Sequence, residues 1–183
     1  MRGALGFSEI EMKWFKRIII SLSIIGALLL TVGAGFVWYV FSDIQGRDHL
    51  ADQALISDLE INMGKYKKLI SMFREDSPAT VIHPTWISPD NVISETRWDE
   101  YKTLFSELGL DAGMRSWGGN SIWFISTAQG LVTGGSSKGY MYKPENPKPL
   151  FSSLDKIPEG LASNVKGYRK INDEWYIVFD WDD

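Results

Sequence analysis

Residues Ile18 to Phe41 read IIISLSIIGALLLTVGAGFVWYVF, 24 consecutive positions without a charged side chain. At about 1.5 Å per helical residue such a run spans about 36 Å. A bilayer hydrocarbon core is about 30 Å thick, so the run can cross it with some tilt. The other readings are a buried core helix and a cleaved signal peptide. Uncharged core helices rarely extend beyond about 18 residues. Small residues at Val32-Gly33-Ala34 suit a cleavage point, but the apolar run continues through Phe41, well past an h-region of about 7 to 15 residues. The reading is therefore an uncleaved signal anchor, and every later residue lies on one side of a membrane.

Flanking charge sets the direction. Lys13, Lys16 and Arg17 precede the run, and Asp43, Arg47, Asp48 and Asp52 follow it. Basic residues near a span stay cytoplasmic while acidic ones count little, so the C-terminal part should face outward. Trp14 at one end and Trp38 with Tyr39 at the other suit the two interfaces. The expected organisation is a cytoplasmic tail over 1–17, an anchor over 18–41, a membrane-proximal helical segment over 42–77 and an extracytoplasmic domain over 78–183. The expected location is a bacterial inner membrane, with the C-terminal domain in the periplasm.

The first 42 residues carry four Lys and Arg against two Asp and Glu, and the rest carry 15 against 21. An exported part with a net charge of −6 lacks the basic footprint of a nucleic-acid binder. The chain has no cysteine, which removes disulfides, thiol catalysis and Cys-ligated zinc. Eight Trp, seven Tyr and nine Phe supply the packing that disulfides would otherwise support.

Apolar residues from Leu50 to Phe73 recur at spacings of three and four, which predicts a helix over 46–75, with Gly64 a candidate break. Asp48, Asp52 and Asp58 fall on its polar face. The segment is read as a helix packed on its own domain, the alternative being a stalk that pairs with a copy of itself. Pro78, Pro84 and Pro89 predict an extended linker over 76–93. A helix over 94–108 follows, capped by Ser94 or Thr96, striped by Trp98, Tyr101, Leu104, Phe105 and Leu108, and stopped by Gly109. Beyond it the pattern turns to strands: a hairpin about Gly118-Gly119-Asn120, a turn at Gln129-Gly130, an interrupted strand to Lys143, and a hairpin about Asn172-Asp173. Between the last two, 144–167 is a long connection with room for a short helix near Leu150 to Leu154. The expected fold is α+β, with about five antiparallel strands.

Few residues carry chemistry. Gly134, Gly135, Ser136, Ser137, Lys138 and Tyr140 form a candidate recognition loop, since a Gly-rich turn can offer backbone N–H groups and a lysine to an anion. The P-loop pattern needs Gly-Lys-Ser/Thr before a helix, and here a strand follows. His49 and His83 are the only histidines and neither has a second ligand at metal spacing. Asp180, Asp182 and Asp183 fall short of the six to eight oxygens that calcium takes. Pro144-Glu145-Asn146-Pro147 can dock as polyproline II or stiffen a loop over a sheet edge. No catalytic residue, metal ligand or cofactor site is assigned.

The succession GGSSKGYMY, PENPKPLFSSLD and GYRKINDEWYIVFDW resembles small single-span bacterial membrane proteins of unknown function. The resemblance covers the C-terminal third and, more loosely, the layout of anchor and helix. It implies no activity, and only that Lys138, Tyr140, Tyr168, Arg169 and Trp175 belong to one structural unit. The functional expectation is a membrane-anchored, extracytoplasmic binding module for a protein of the envelope or an incoming toxin, or for a second copy of itself. The alternatives are a small-ligand or sensory domain using the Gly/Ser loop, and a hydrolase.

Overall fold

The computed structural model describes residues 49–131 and 134–182. The expected tail and anchor, and the tip at Val132-Thr133, lie outside the described residues. Among the described residues no helix is long and apolar enough to cross a membrane.

Helix α1 runs unbroken over Asp52–Glu75. Leu55, Leu59, Tyr66, Leu69, Ile70 and Phe73 bury one stripe of it. Gly64 sits inside the helix with open space where a side chain would stand, so it marks no break. A proline-rich segment follows, and within it Val81–Ile82 (β1) and Ile87–Ser88 (β2) pair as a short antiparallel hairpin where a linker was expected. The pairing survives because Pro84 and Pro89 fall outside the paired positions. Helix α2 spans Glu95–Leu108. Ser94 Oγ accepts from the Arg97 backbone N–H at its start, and Gly109 at φ 60° ends it.

The remaining strands are β3 (Met114–Ser116), β4 (Ile122–Leu131), β5 (Gly134–Tyr142), β6 (Gly167–Lys170) and β7 (Trp175–Asp182). They form with the first two a seven-stranded antiparallel sheet in the order β2-β1-β3-β4-β5-β7-β6. The fold is α+β, with more strands than expected. Two expectations need correction. Gln129-Gly130 does not turn the chain; β4 continues through it to Leu131. Gly134 to Ser137 is strand, not loop: it pairs with Leu131 to Ala128 on one side, and Gly135 to Ser137 pair with Asp182 to Asp180 on the other. Glycine permits this because a Cβ at Gly135 would stand 2.6 Å from the Gln129 carbonyl oxygen. The connection over 144–166 contains no helix. Leu150 bridges Tyr168 in parallel, and the Phe151 N–H donates to the Tyr168 carbonyl at 2.8 Å, so the segment covers the β6 edge.

Both helices pack on one face of the sheet, over Ile82, Met114, Phe124, Tyr140, Trp175, Ile177 and Phe179. Tyr66 stands at the centre, with ring centroids 5.5 Å from Phe124, 5.1 Å from Tyr140 and 5.7 Å from Trp175. Edge-on contacts of this kind add about 0.5–1.5 kcal/mol beyond burial alone. The opposite face carries a smaller cluster of Trp123, Ile125, Met141, Tyr168 and Val178. A bulge between Ile125 and Thr127 bends β4 beside Gly139.

Candidate functional site

The two-residue repeat of the strands divides the expected recognition loop between the two faces. Lys138 and Tyr140 turn toward the helices and are wholly buried. The Lys138 ammonium meets Asp52 Oδ1 at 2.8 Å and donates to the Leu50 carbonyl at 2.8 Å. The Tyr140 hydroxyl donates to the Leu55 carbonyl at 2.8 Å and lies 3.0 Å from Asp58. Neither is available to a ligand, so the structure removes both from the candidate site. Asp52, expected on an exposed polar face, is also buried; Arg169 donates to its Oδ2 at 2.6 Å. Lys138, Tyr140, Arg169 and Trp175 thus frame one core around the start of α1. Tyr168 lies on the other face.

Ser137 and Gly135 point away from the helices. Cross-strand register sets Ala128, Ser137 and Asp180 in one row and Gly130, Gly135 and Asp182 in the next. The small side chains leave a trough of about 580 Å³ open to solvent, to which Gly134, Ser136, Gln129, Trp181 and, from β3, Arg115 also contribute. Its floor is made of glycine, alanine and serine because larger residues would fill it.

Arg115 is the unusual side chain here. Its guanidinium lies 4.9 Å from the centroid of the Trp123 ring, a cation–π contact that holds it in place. Partial burial pulls its pKa below the ordinary arginine value, opposed by the charge of Asp180. Asp180 is itself bonded to Lys166 at 2.8 Å. Among the described residues, five buried side-chain polar atoms have no hydrogen-bond partner, and three belong to residues lining this trough: Arg115 Nε, Gln129 Nε2 and Trp181 Nε1. A fourth, Trp123 Nε1, belongs to the ring under Arg115. A buried donor left unpaired costs about 1–3 kcal/mol. Gln129 and Trp181 stand in the Ser136 row that alternation turns to the helix side, so of these lining residues only Arg115 brings such a donor to the trough face. Sequence reasoning missed Arg115 and Gln129. An arginine one residue from the end of a short strand carries no signal until its strand is placed beside β4.

His49 lies 2.6 Å from Thr127 Oγ1 and 2.7 Å from Ser136 Oγ. His83 Nδ1 lies 2.9 Å from the Thr85 hydroxyl, and its ring stacks on Trp86 with centroids 5.5 Å apart. Burial first, and Arg115 second, lower the His83 pKa. No carboxylate completes a relay to it among the hydrogen bonds and ion pairs of the described residues. No group of three or more His, Asp or Glu capable of holding a metal occurs among the described residues.

No family model, curated protein or solved structure matches the chain.

Proposed function

We propose that this chain is a membrane-anchored, extracytoplasmic binding module that recognises a protein of the cell envelope through the sheet face turned away from its helices. The 24-residue uncharged run with basic residues before it supports the anchor and its direction. One observation carries the binding reading: the trough beside Gly135 and Ser137 is lined by Arg115, a half-buried arginine whose guanidinium makes no hydrogen bond or ion pair among the described residues. Exposed Trp117, 41 % accessible, stands close to it against Lys166 at 4.1 Å, and aromatic residues of this kind anchor interfaces.

A photoreactive phenylalanine analogue in place of Trp117, introduced in the full chain in native membranes, tests this. Illumination should yield a discrete cross-linked product containing a second polypeptide. A chain that cross-links only to lipid, or not at all, overturns the reading. Protease added to spheroplasts should degrade residues 78–183, and protection would overturn the topology.

The trough volume also falls within the range of small-ligand sites, about 300–1,000 Å³. A sensory domain that binds a small polar molecule there is the second reading, and a ligand-dependent rise in melting temperature would favour it.

A further inference from the structure

Arg97 and Arg169, the other partly buried arginines, are both tied to carboxylates: Arg97 to Asp76 at 2.8 Å, Arg169 to Asp52 at 2.6 Å. Arg115 has no hydrogen bond or ion pair, although its Nε is buried. Asp180 compensates its charge in part but makes no contact with it, being paired with Lys166 at 2.8 Å, and a half-desolvated guanidinium so placed is a cost to the fold. It is held rigid on Trp123 and lines an open trough whose floor is too small to contact it. Asp180 and Asp182 stand on the β7 side of the same space.

We infer that the trough is a carboxylate-recognition site in which Arg115 anchors the C-terminal carboxylate of a partner polypeptide. This rests on the binding-module reading above and names its chemistry. The planar fork of arginine matches a carboxylate through two parallel N–H···O bonds. Phosphate fits the fork equally well, but its double charge would face Asp180 and Asp182. A single negative charge meets about half that repulsion, and an amino group elsewhere on the ligand gains from Asp182. Small floor residues let the peptide backbone lie close to the sheet.

The test uses the full chain in detergent micelles, with tryptophan fluorescence as the readout. Trp123, the ring under Arg115, reports on the trough. The probes are Ala-Ala-Ala with free ends, its C-terminal amide, its N-acetylated form, and inorganic phosphate. Both peptides with a free carboxylate should change the fluorescence saturably, and the amide should bind at least about tenfold more weakly, the loss expected for one charge-assisted bond. Arg115→Lys should weaken binding and Arg115→Gln should abolish it. Asp182→Asn should weaken Ala-Ala-Ala but leave the N-acetylated form unchanged. Ligand-free R115Q loses the cation–π contact with Trp123, so its binding is read beside R115K, which keeps a cation at this position.

Equal binding of the amide, tighter binding of phosphate, or no saturable response would each overturn the proposal. If cross-linking at position 117 persists unchanged in R115Q, the carboxylate anchor fails while the binding module stands. If the peptides bind as expected but wild-type chain cross-links to nothing, the protein-partner reading fails while the carboxylate site stands.

Discussion

Asp52 Oδ1 lies 2.8 Å from the ammonium of Lys138, and neither side chain is accessible to solvent. The pair joins the first turn of α1 to the middle of the sheet. Asp52 Oδ2 also accepts from Arg169 Nη1 at 2.6 Å and from the Leu154 N–H at 2.7 Å, while the Asp52 N–H donates to Asp155 Oδ1 at 2.6 Å. One carboxylate therefore holds β5, β6 and the connection over 144–166 to the helix start. A buried charge stripped of its partner costs about 3–5 kcal/mol. Asp52→Ala takes the close partner from Lys138 and, among the described residues, the only one from Arg169, leaving Lys138 the half-exposed Asp155 at 3.5 Å, and should cost about 3 kcal/mol. Lys138→Met should cost less, because Arg169 still neutralises Asp52. A D52L/K138M double variant should recover part of the loss relative to D52A. Urea unfolding of the full chain in detergent, followed by tryptophan fluorescence, gives all three; D52A milder than K138M would contradict the asymmetry.

Asp58 accepts from the Tyr66 hydroxyl at 2.7 Å, and the single proton of the Tyr140 hydroxyl is shared between Asp58 at 3.0 Å and the Leu55 carbonyl at 2.8 Å. Burial pushes both phenols above their usual range, so both stay protonated at any ordinary pH. Tyr66→Phe keeps every ring contact and removes one donor to a charged acceptor. It should cost about 1.5–3 kcal/mol. Tyr140→Phe also leaves the Leu55 carbonyl without this donor, but that carbonyl remains within the α1 ladder, and the loss should be of similar size. Denaturation midpoints of the two variants check this; a loss below about 0.5 kcal/mol for Tyr66→Phe would mean Asp58 is satisfied without it.

Elements with a strong period were legible in the sequence. Helix α2 lies where Ser94, the Trp98–Leu108 stripe and Gly109 place it, because capping and periodicity are local. The alternation of Trp175, Ile177 and Phe179 likewise assigns one face of β7 to the main core. What failed was composition read without partners. Gly134 to Ser137 looked like a loop, yet small residues in a strand also mark a place where the sheet stays bare, and only cross-strand register tells the two apart. Lys138 looked like an anion ligand because nothing local announces that Asp52, 86 positions earlier, will neutralise it. Arg115 was invisible for the same reason: its neighbours Trp123 and Asp180 come from other strands.

Two glycines make opposite predictions. A Cβ on Gly139 would fall on the Phe124 carbonyl and stand 2.9 Å from the Ser126 nitrogen, both backbone atoms beside the β4 bulge. Backbone cannot move aside as a flexible side chain can, so Gly139→Ala should destabilise by about 1–3 kcal/mol. Gly64 lies inside α1 with nothing within 4 Å of the same added atom. There alanine removes unfolded-state freedom at no steric cost, and Gly64→Ala should stabilise by about 0.5–1 kcal/mol. Melting temperatures of the two variants should therefore move in opposite directions; a shared direction would contradict the local geometry.

His83 gives the fold a dependence on pH in a defined window. Its imidazole is partly desolvated and feels the charge of Arg115, and both lower its pKa from the ordinary value near 6.5. The unfolded chain therefore takes up this proton at a higher pH than the folded one. Stability contributed by the neutral ring is complete above about pH 6.5 and falls as pH drops from there through the lower folded-state value. His83→Gln should flatten that part of the stability curve while leaving stability near pH 8 little changed, since the side chain is on the surface with one local bond to Thr85. Arg115→Gln removes the second of the two causes, so the His83 titration should move up toward 6.5. NMR titration of the imidazole in R115Q measures this directly, and a downward movement would show that Arg115 does not act on His83 as a positive charge.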